Sequence, residues 1–182
     1  MFKDFFKSRE IPSGVHVTIV KGDITEQRVD VIVNAANESL LGGRGVDGAI
    51  HMAAGRRLYE ECKTLGGCNT GSAKMTDAYN LPSKKVIHAV GPDCDIYTPD
   101  EAEKLLRSCY ETSLKIAEDN GLTSIAFPAI STGIYGYPIE DAVKVVHKVV
   151  DEFKPKAKSV REIRFVQFSD KDNDVYKKEF GV

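Results

Sequence analysis

The segment VDVIVNAANESLLGGRGVDG, Val29 to Gly48, changes character twice along its length. Val29 to Val33 is a short β-branched run and reads as a buried strand. Asn34 to Asp47 is a glycine-rich loop, and from Val46 the sequence turns helical through Ala54. Strand, glycine loop and helix in direct succession describe an α/β unit whose loop lies at the carboxyl end of a strand. Ligands of open α/β sheets bind at such ends. Glycines at 42, 43, 45 and 48 let backbone N–H groups approach a phosphate with no Cβ in the way. The helix start adds the positive end of its dipole to the same place.

The pattern repeats outward from this unit. Alternating residues from Val15 to Lys21 suggest an earlier strand. Further strands are expected at Ala73 to Asp77, Lys85 to Val90, Ser124 to Pro128 and Ile163 to Phe168. Helices are expected at Arg57 to Leu65, Pro99 to Asp119 and Ile139 to Phe153, with a short one after Asp170. Pro99 and Pro138 stand at helix starts, and Gly121 follows a helix end. Strands alternating with helices of this length imply an α/β fold with a largely parallel sheet covered on both faces. There is no internal repeat or low-complexity linker, so residues 1–182 are expected to form one domain, with its core at about 15–180.

Composition narrows the function classes. The chain has 25 basic and 27 acidic residues and a formal net charge of -2. That balance argues against a nucleic-acid coat, which needs a basic stripe. The four cysteines, Cys62, Cys68, Cys94 and Cys109, include no CxxC pair and no zinc-finger spacing to histidine. Free thiols in a cytoplasmic protein, with no metal and no cofactor, are the expectation. Met1 to Glu10 has no apolar run, so neither a signal peptide nor a membrane span is expected.

Gly43, Gly45 and Gly48 match GxGxxG, but the loop is separated from its strand and no acidic residue ends a second strand about twenty positions on. No Gly-Lys-Ser/Thr follows, which excludes a P-loop. The second loop, Ala129 to Pro138, runs Ser131-Thr132-Gly133 between a strand and a helix and forms another anion nest. Two nests in one small domain suit a diphosphate better than a single phosphate.

Four motifs carry a resemblance. "GDIT" at Gly22 to Thr25, "IVNAANESLLGGRGVDGAIH" at Ile32 to His51, "VIHAVGP" at Val86 to Pro92 and "IAFPAISTGIYGYP" at Ile125 to Pro138 resemble the macrodomain family, and within it the MacroD-type branch. The resemblance implies a three-layer α/β/α domain with a mixed sheet that binds ADP-ribose. Many MacroD-type members hydrolyse mono-ADP-ribose from acidic side chains or deacetylate O-acetyl-ADP-ribose, so ADP-ribosylated proteins and O-acetyl-ADP-ribose are the implied partners.

By the same resemblance, Asp23 accepts from the adenine amino group with the Ile24 backbone nearby, and Phe168 flanks the adenine. Ser131, Thr132, Gly133, Ile134 and Tyr135 wrap the diphosphate, and Gly43, Gly45 and Val46 close over the distal phosphate and ribose. Asn37 and Asp47 form the catalytic pair. Asn37 offers a donor and an acceptor to the distal ribose or a water, and Asp47 orients or deprotonates the nucleophile. Simpler roles stand beside these: Asp23 as a turn cap, Phe168 as core, Asp47 as a helix N-cap, and His51 and His88 as structural histidines. Tyr135 or Tyr137 lines the distal pocket. Arg44 interrupts a glycine run that MacroD-type members usually carry unbroken. It either reaches the distal phosphate or strains a left-handed backbone position. The implied activity is metal-independent hydrolysis of ADP-ribosyl esters. A non-catalytic ADP-ribose reader and processing of ADP-ribose 1″-phosphate are the alternatives.

Overall fold

The computed structural model describes residues 14–182. Met1 to Glu10, read above for a targeting segment, lie outside them. Strands β1 (His16–Lys21), β2 (Val31–Ala36), β3 (Ala73–Asp77), β4 (Lys85–Val90), β5 (Ser124–Phe127) and β6 (Glu162–Gln167) form one sheet in the order β1-β6-β5-β2-β4-β3. Every neighbouring pair is parallel except β3 with β4. The sheet is therefore mixed and largely parallel.

Helices α1 (Gly45–Ala54) and α2 (Arg56–Thr64) cover one face. Helices α3 (Pro99–Asp119), α4 (Ile139–Phe153) and α5 (Asp170–Phe180) cover the other. Side-chain alternation on β2 shows how the sheet divides two cores. Val31 and Val33 pack with Leu106, Val146 and Tyr176 of α3, α4 and α5. Ile32 and Ala36 pack with Ile50 and Leu58 of α1 and α2. Burying each of these aliphatic side chains contributes roughly 1.5–3 kcal/mol relative to exposure. The arrangement is three-layer α/β/α.

Local signals set the helix ends. α3 starts with a capping box in which Thr98 accepts from the Glu101 amide, and Pro99 occupies its first turn. Ser169 caps α5 by accepting from the Asp172 amide. Under the loop after β5, Tyr110, Phe127, Phe165 and Tyr176 form an aromatic column with centroid spacings of 4.9, 5.8 and 5.3 Å. Each such pair adds about 0.5–1.5 kcal/mol and stiffens the floor of that loop.

One strand boundary differs from the sequence expectation in a way that matters for the site. β2 runs from Val31 to Ala36, not from Val29 to Val33. Asn34, Ala35 and Ala36 pair in register with His88, Ala89 and Val90 of β4, so lateral pairing carries the strand past its β-branched run. Asn34 thus sits inside the sheet, on the α1–α2 face, and not in the loop. β2 is also where the topology turns. Its neighbours are β4 on one side and β5 on the other, so the chain leaves through α1 and α2 and returns through α3. A crevice at the carboxyl ends of β2 and β5 follows from that order.

Candidate active site

The crevice is a cleft of about 730 Å³. Around it lie Asp23, Ile24 and Phe168 at one end, Ser131 to Tyr135 along one wall, and Asn37, Gly43, Gly45, Val46 and Asp47 at the other end. The structure thus brings the residues expected to contact the ligand, and the pair Asn37 and Asp47, to one place. Tyr135 lines this cleft, whereas Tyr137 is buried and lines a separate cleft of about 760 Å³ between α3 and α4.

Both loops present backbone donors to the cleft. The first intrahelical bond of α1 runs from Gly48 to the Arg44 carbonyl, leaving the amides of Gly45, Val46 and Asp47 without an α-helical partner. The amides of residues 131–135 donate to no protein group among the described residues. The second loop is shaped by Ser131, which holds a left-handed φ of 67°, and by the Tyr137 amide, which returns to the Ser131 carbonyl at 2.9 Å. Amides grouped at a cleft with no protein acceptor form a nest that an anion can satisfy.

At the first end, Asp23 fills the cap role weighed from sequence and keeps one carboxylate oxygen free of it. Its Oδ1 accepts from the Thr25 amide at 2.9 Å and the Thr25 hydroxyl at 2.7 Å, capping the turn Ile24–Glu26. Those bonds fix the carboxylate at the cleft edge with Oδ2 outside them. Phe168 is 88% exposed, so the core alternative for this side chain is overturned. β6 ends one residue before it, and Ser169 then caps α5. An aromatic face standing in solvent beside a cleft is available for stacking.

At the other end, Asn37 is bound into its own loop. Its Oδ1 accepts from the Ser39 amide, the Ser39 hydroxyl and the Leu40 amide, and its Nδ2 donates to the Gly42 carbonyl at 3.0 Å. The acceptor role expected for Asn37 is therefore filled from within, and what it offers a ligand is an amide proton. Asp47 is 4% exposed and stands on the first turn of α1, where Arg44, not Asp47, is the N-cap. The capping alternative for Asp47 is thereby overturned. Its Oδ1 accepts from Asn34 Nδ2 at 2.8 Å and lies 3.5 Å from His51 Nε2. A Cβ placed on Gly43 would lie 3.0 Å from Asp47 Oδ2 and 3.4 Å from Asn37 Nδ2, so the two side chains meet across that glycine. Burial raises the Asp47 carboxyl above its ordinary range, and the Asn34 bond and the nearby His51 oppose that rise.

Behind Asp47 lies a buried polar group made of Asn34, Cys62, Thr76 and His88. Burial, with His51 nearby, pushes His88 down to about 3, so its ring is neutral. Burial, with Glu61 and Asp47 nearby, pushes the Cys62 thiol up to about 11, so it is no thiolate at neutral pH. One ligand atom each of His51, Cys62 and His88 lie within 4.8 Å of one another. Both His88 nitrogens, however, are engaged by Asn34 and Thr76. All four cysteines are free.

A family model described as Macro domain matches residues 33–146. The chain belongs to the macrodomain family. It is 52% identical to a macro domain-containing protein of Chlorobaculum tepidum over 92% of this chain and 97% of that one. It is 50% identical to the ADP-ribose glycohydrolase MACROD2 of Xenopus laevis over 91% of this chain but 40% of that protein's length. Among solved structures it is similar to the Oceanobacillus iheyensis macrodomain with ADP, with a TM-score of 0.85 and 40% identity, covering 89% of this chain and 88% of that one. It is also similar to the Trypanosoma brucei macrodomain in complex with ADP-ribose, with a TM-score of 0.84 and 40% identity, covering 91% of this chain and 69% of that one.

Two features of this macrodomain's first loop were not visible in sequence. Gly48 is required for close approach: a Cβ there would lie 2.5 Å from the Gly43 carbonyl oxygen, so the loop rests on α1 through this glycine. Arg44, which breaks the glycine run, has an extended backbone with φ -105° and ψ 173°. The left-handed strain weighed for it is absent, and its side chain is exposed at the cleft mouth. Asn34 was missed as a site residue because the strand was expected to stop at Val33. A strand carried to Ala36 would have put an amide between Ile32 and Ala36 on a buried face, where it needs partners.

Proposed function

We propose that this macrodomain binds ADP-ribose in the cleft and hydrolyses ADP-ribosyl esters, namely mono-ADP-ribose on acidic side chains and O-acetyl-ADP-ribose. Asp47 carries the reading. A carboxylate is taken out of water at one end of a cleft whose two loops supply amides for a diphosphate. Burial of an ionised carboxylate costs several kcal/mol. A module that only held the ligand would gain nothing from that cost, which disfavours the reader alternative. Identity of 50% to the ADP-ribose glycohydrolase MACROD2 of Xenopus laevis supports the same reading.

In this account Asp23, Ile24 and Phe168 hold the adenine, and residues 131–135 with Gly45 and Val46 hold the diphosphate. Asn37 donates to the distal ribose. Asp47 takes a proton from water as it attacks the ester, and the loop amides stabilise the charge that develops. Water and ester become a carboxylic acid and free ADP-ribose, with no metal or cofactor in the step. A terminal 1″-phosphate at the distal end would face the Asp47 carboxylate, and that repulsion disfavours this alternative. No helix among the described residues is long and apolar enough to cross a membrane. The proposed setting is the cytoplasm, with ADP-ribosylated proteins as partners.

The test is acetate release from O-acetyl-ADP-ribose, with free ADP-ribose titrated in parallel by calorimetry. Release with many turnovers per protein, and a Kd for ADP-ribose on the order of micromolar (about -8 kcal/mol), is the expected result. Micromolar binding with no release would make the protein a reader.

A further inference from the structure

The polar group behind Asp47 forms a chain with a direction. Thr76 Oγ1 donates to the Asp77 carbonyl at 3.0 Å, and a carbonyl can only accept. With its proton committed there, Thr76 Oγ1 accepts from His88 Nε2 at 2.9 Å. His88 therefore carries its proton on Nε2, and Nδ1 is left as an acceptor facing Asn34 Nδ2 at 3.1 Å. The other proton of the same amide goes to Asp47 Oδ1 at 2.8 Å. Thr76, His88, Asn34 and Asp47 are 2%, 0%, 0% and 4% exposed, so water does not compete for any of these bonds.

We propose that Thr76 and His88 are positioning residues for Asp47, forming the far half of a one-way hydrogen-bond chain that turns the Asn34 amide so that Asp47 meets its NH₂ group and not its carbonyl. The inference rests on Asp47 acting as the base proposed above. The sheet builds the chain directly. Asn34 and His88 are register partners on adjacent strands, and Thr76 comes from β3 next to β4. The opposite orientation would set the Asn34 carbonyl against His88 Nδ1 and the Asp47 carboxylate. Both would then need protons: the imidazole would have to change tautomer or charge, and Asp47 would have to be neutral and unable to act as a base. A neutral His88, held so by burial, keeps Nδ1 free of a proton.

The groups facing Asp47 are Asn34 from β2, His51 on its own helix, Cys62 from α2, and Asn37 and Tyr135 from the two loops, with His88 of β4 behind Asn34. Of these, only Asn34 donates to Asp47 at a distance of 2.8 Å. Loss of its orientation therefore raises the Asp47 carboxyl further. A base must be ionised, so activity is present above that carboxyl's pKa and fades as pH falls through it. Raising the pKa moves the acid limb of the pH profile upward.

The test uses two pairs of variants of the full chain, Thr76→Val with Thr76→Ser and His88→Leu with His88→Asn. The valine removes the oxygen acceptor for Nε2–H and leaves the weaker Cys62 sulfur at 3.8 Å, while serine keeps the oxygen. Leucine removes the acceptor for Asn34, while asparagine keeps one at the δ position. Two readouts are the acid limb of turnover and the pKa of the Asp47 carboxyl followed by ¹³C NMR. Thr76→Val and His88→Leu should move both upward by about one pH unit, since a hydrogen bond to a charged group has that order of effect. Thr76→Ser and His88→Asn should stay with the parent, and the Kd for ADP-ribose should hardly change in any of the four. Thr76→Val is nearly isosteric and decides the matter alone if His88→Leu fails to fold. An Asp47 carboxyl that titrates in Thr76→Val as in the parent would overturn the proposal. A parent without turnover would instead remove the base reading, while the NMR titration would still decide the chain.

Discussion

Gly133→Glu abolishes ADP-ribose binding and leaves a cooperative melt at close to the parent temperature. Gly133 is not among the glycines with a positive φ, and a Cβ built on it meets nothing within 4 Å. The turn therefore does not need a glycine there, and the open space in front of it is the cleft. A glutamate fills that space and sets a carboxylate beside the diphosphate. At a separation of about 5 Å and an effective dielectric of about 20, each charge pair disfavours binding by roughly 3 kcal/mol. Two phosphates plus the lost volume take a micromolar ligand out of measurable range. Calorimetry and a thermal melt on the same preparation check both halves. Loss of the cooperative melt would return Gly133 to a role in the turn, and retained binding would move the diphosphate elsewhere.

Asp47→Asn lowers turnover by about 10²–10⁴-fold while the Kd for ADP-ribose changes little. Asparagine keeps an oxygen for the Asn34 amide, so the loop and α1 hold their places and only the base is removed. The same substitution bears on stability. The Asp47 carboxyl is raised in the folded protein, chiefly by burial, with Asn34 and His51 opposing the rise. Between the ordinary carboxylate pKa and the raised one, the folded state binds more protons than the unfolded state. Asp47 therefore burdens the fold fully above its raised pKa, and the burden is gone below the ordinary carboxylate range. Asp47→Asn should melt no lower than the parent at neutral pH, and any gain should vanish toward acid pH. Chemical denaturation at neutral and acid pH, run beside steady-state kinetics, reads both effects. Parent-like turnover in Asp47→Asn would end its assignment as the base.

What sequence could and could not reveal follows from which interactions are local. α3 and α4 lie where sequence put them, because Pro99, Pro138 and the apolar spacing of each helix act within a few residues. The glycine loops that line the cleft were legible because their glycines and the strand–loop–helix order are also local. The end of β2 was not, since Asn34 to Ala36 are held by pairing with β4, more than fifty residues away. With that boundary went the buried Asn34–His88 pair, which only sheet register creates. Arg44 was ambiguous because a side chain's effect on a loop depends on φ, and nothing in the string GGRGV fixes that angle. For Asp23 the cap and ligand readings need not compete, because the cap uses only Oδ1.

The most direct test uses a protein mono-ADP-ribosylated on glutamate, incubated with the full chain in excess EDTA. Released ADP-ribose and unmodified substrate protein are followed together by mass spectrometry. The account predicts many turnovers per protein molecule, with free ADP-ribose and a regenerated glutamate as the products and no dependence on chelator. ADP-ribose that binds but is never released from the substrate would contradict hydrolysis and leave a reader. Release that EDTA stops and zinc restores would contradict the metal-independent step assigned to Asp47.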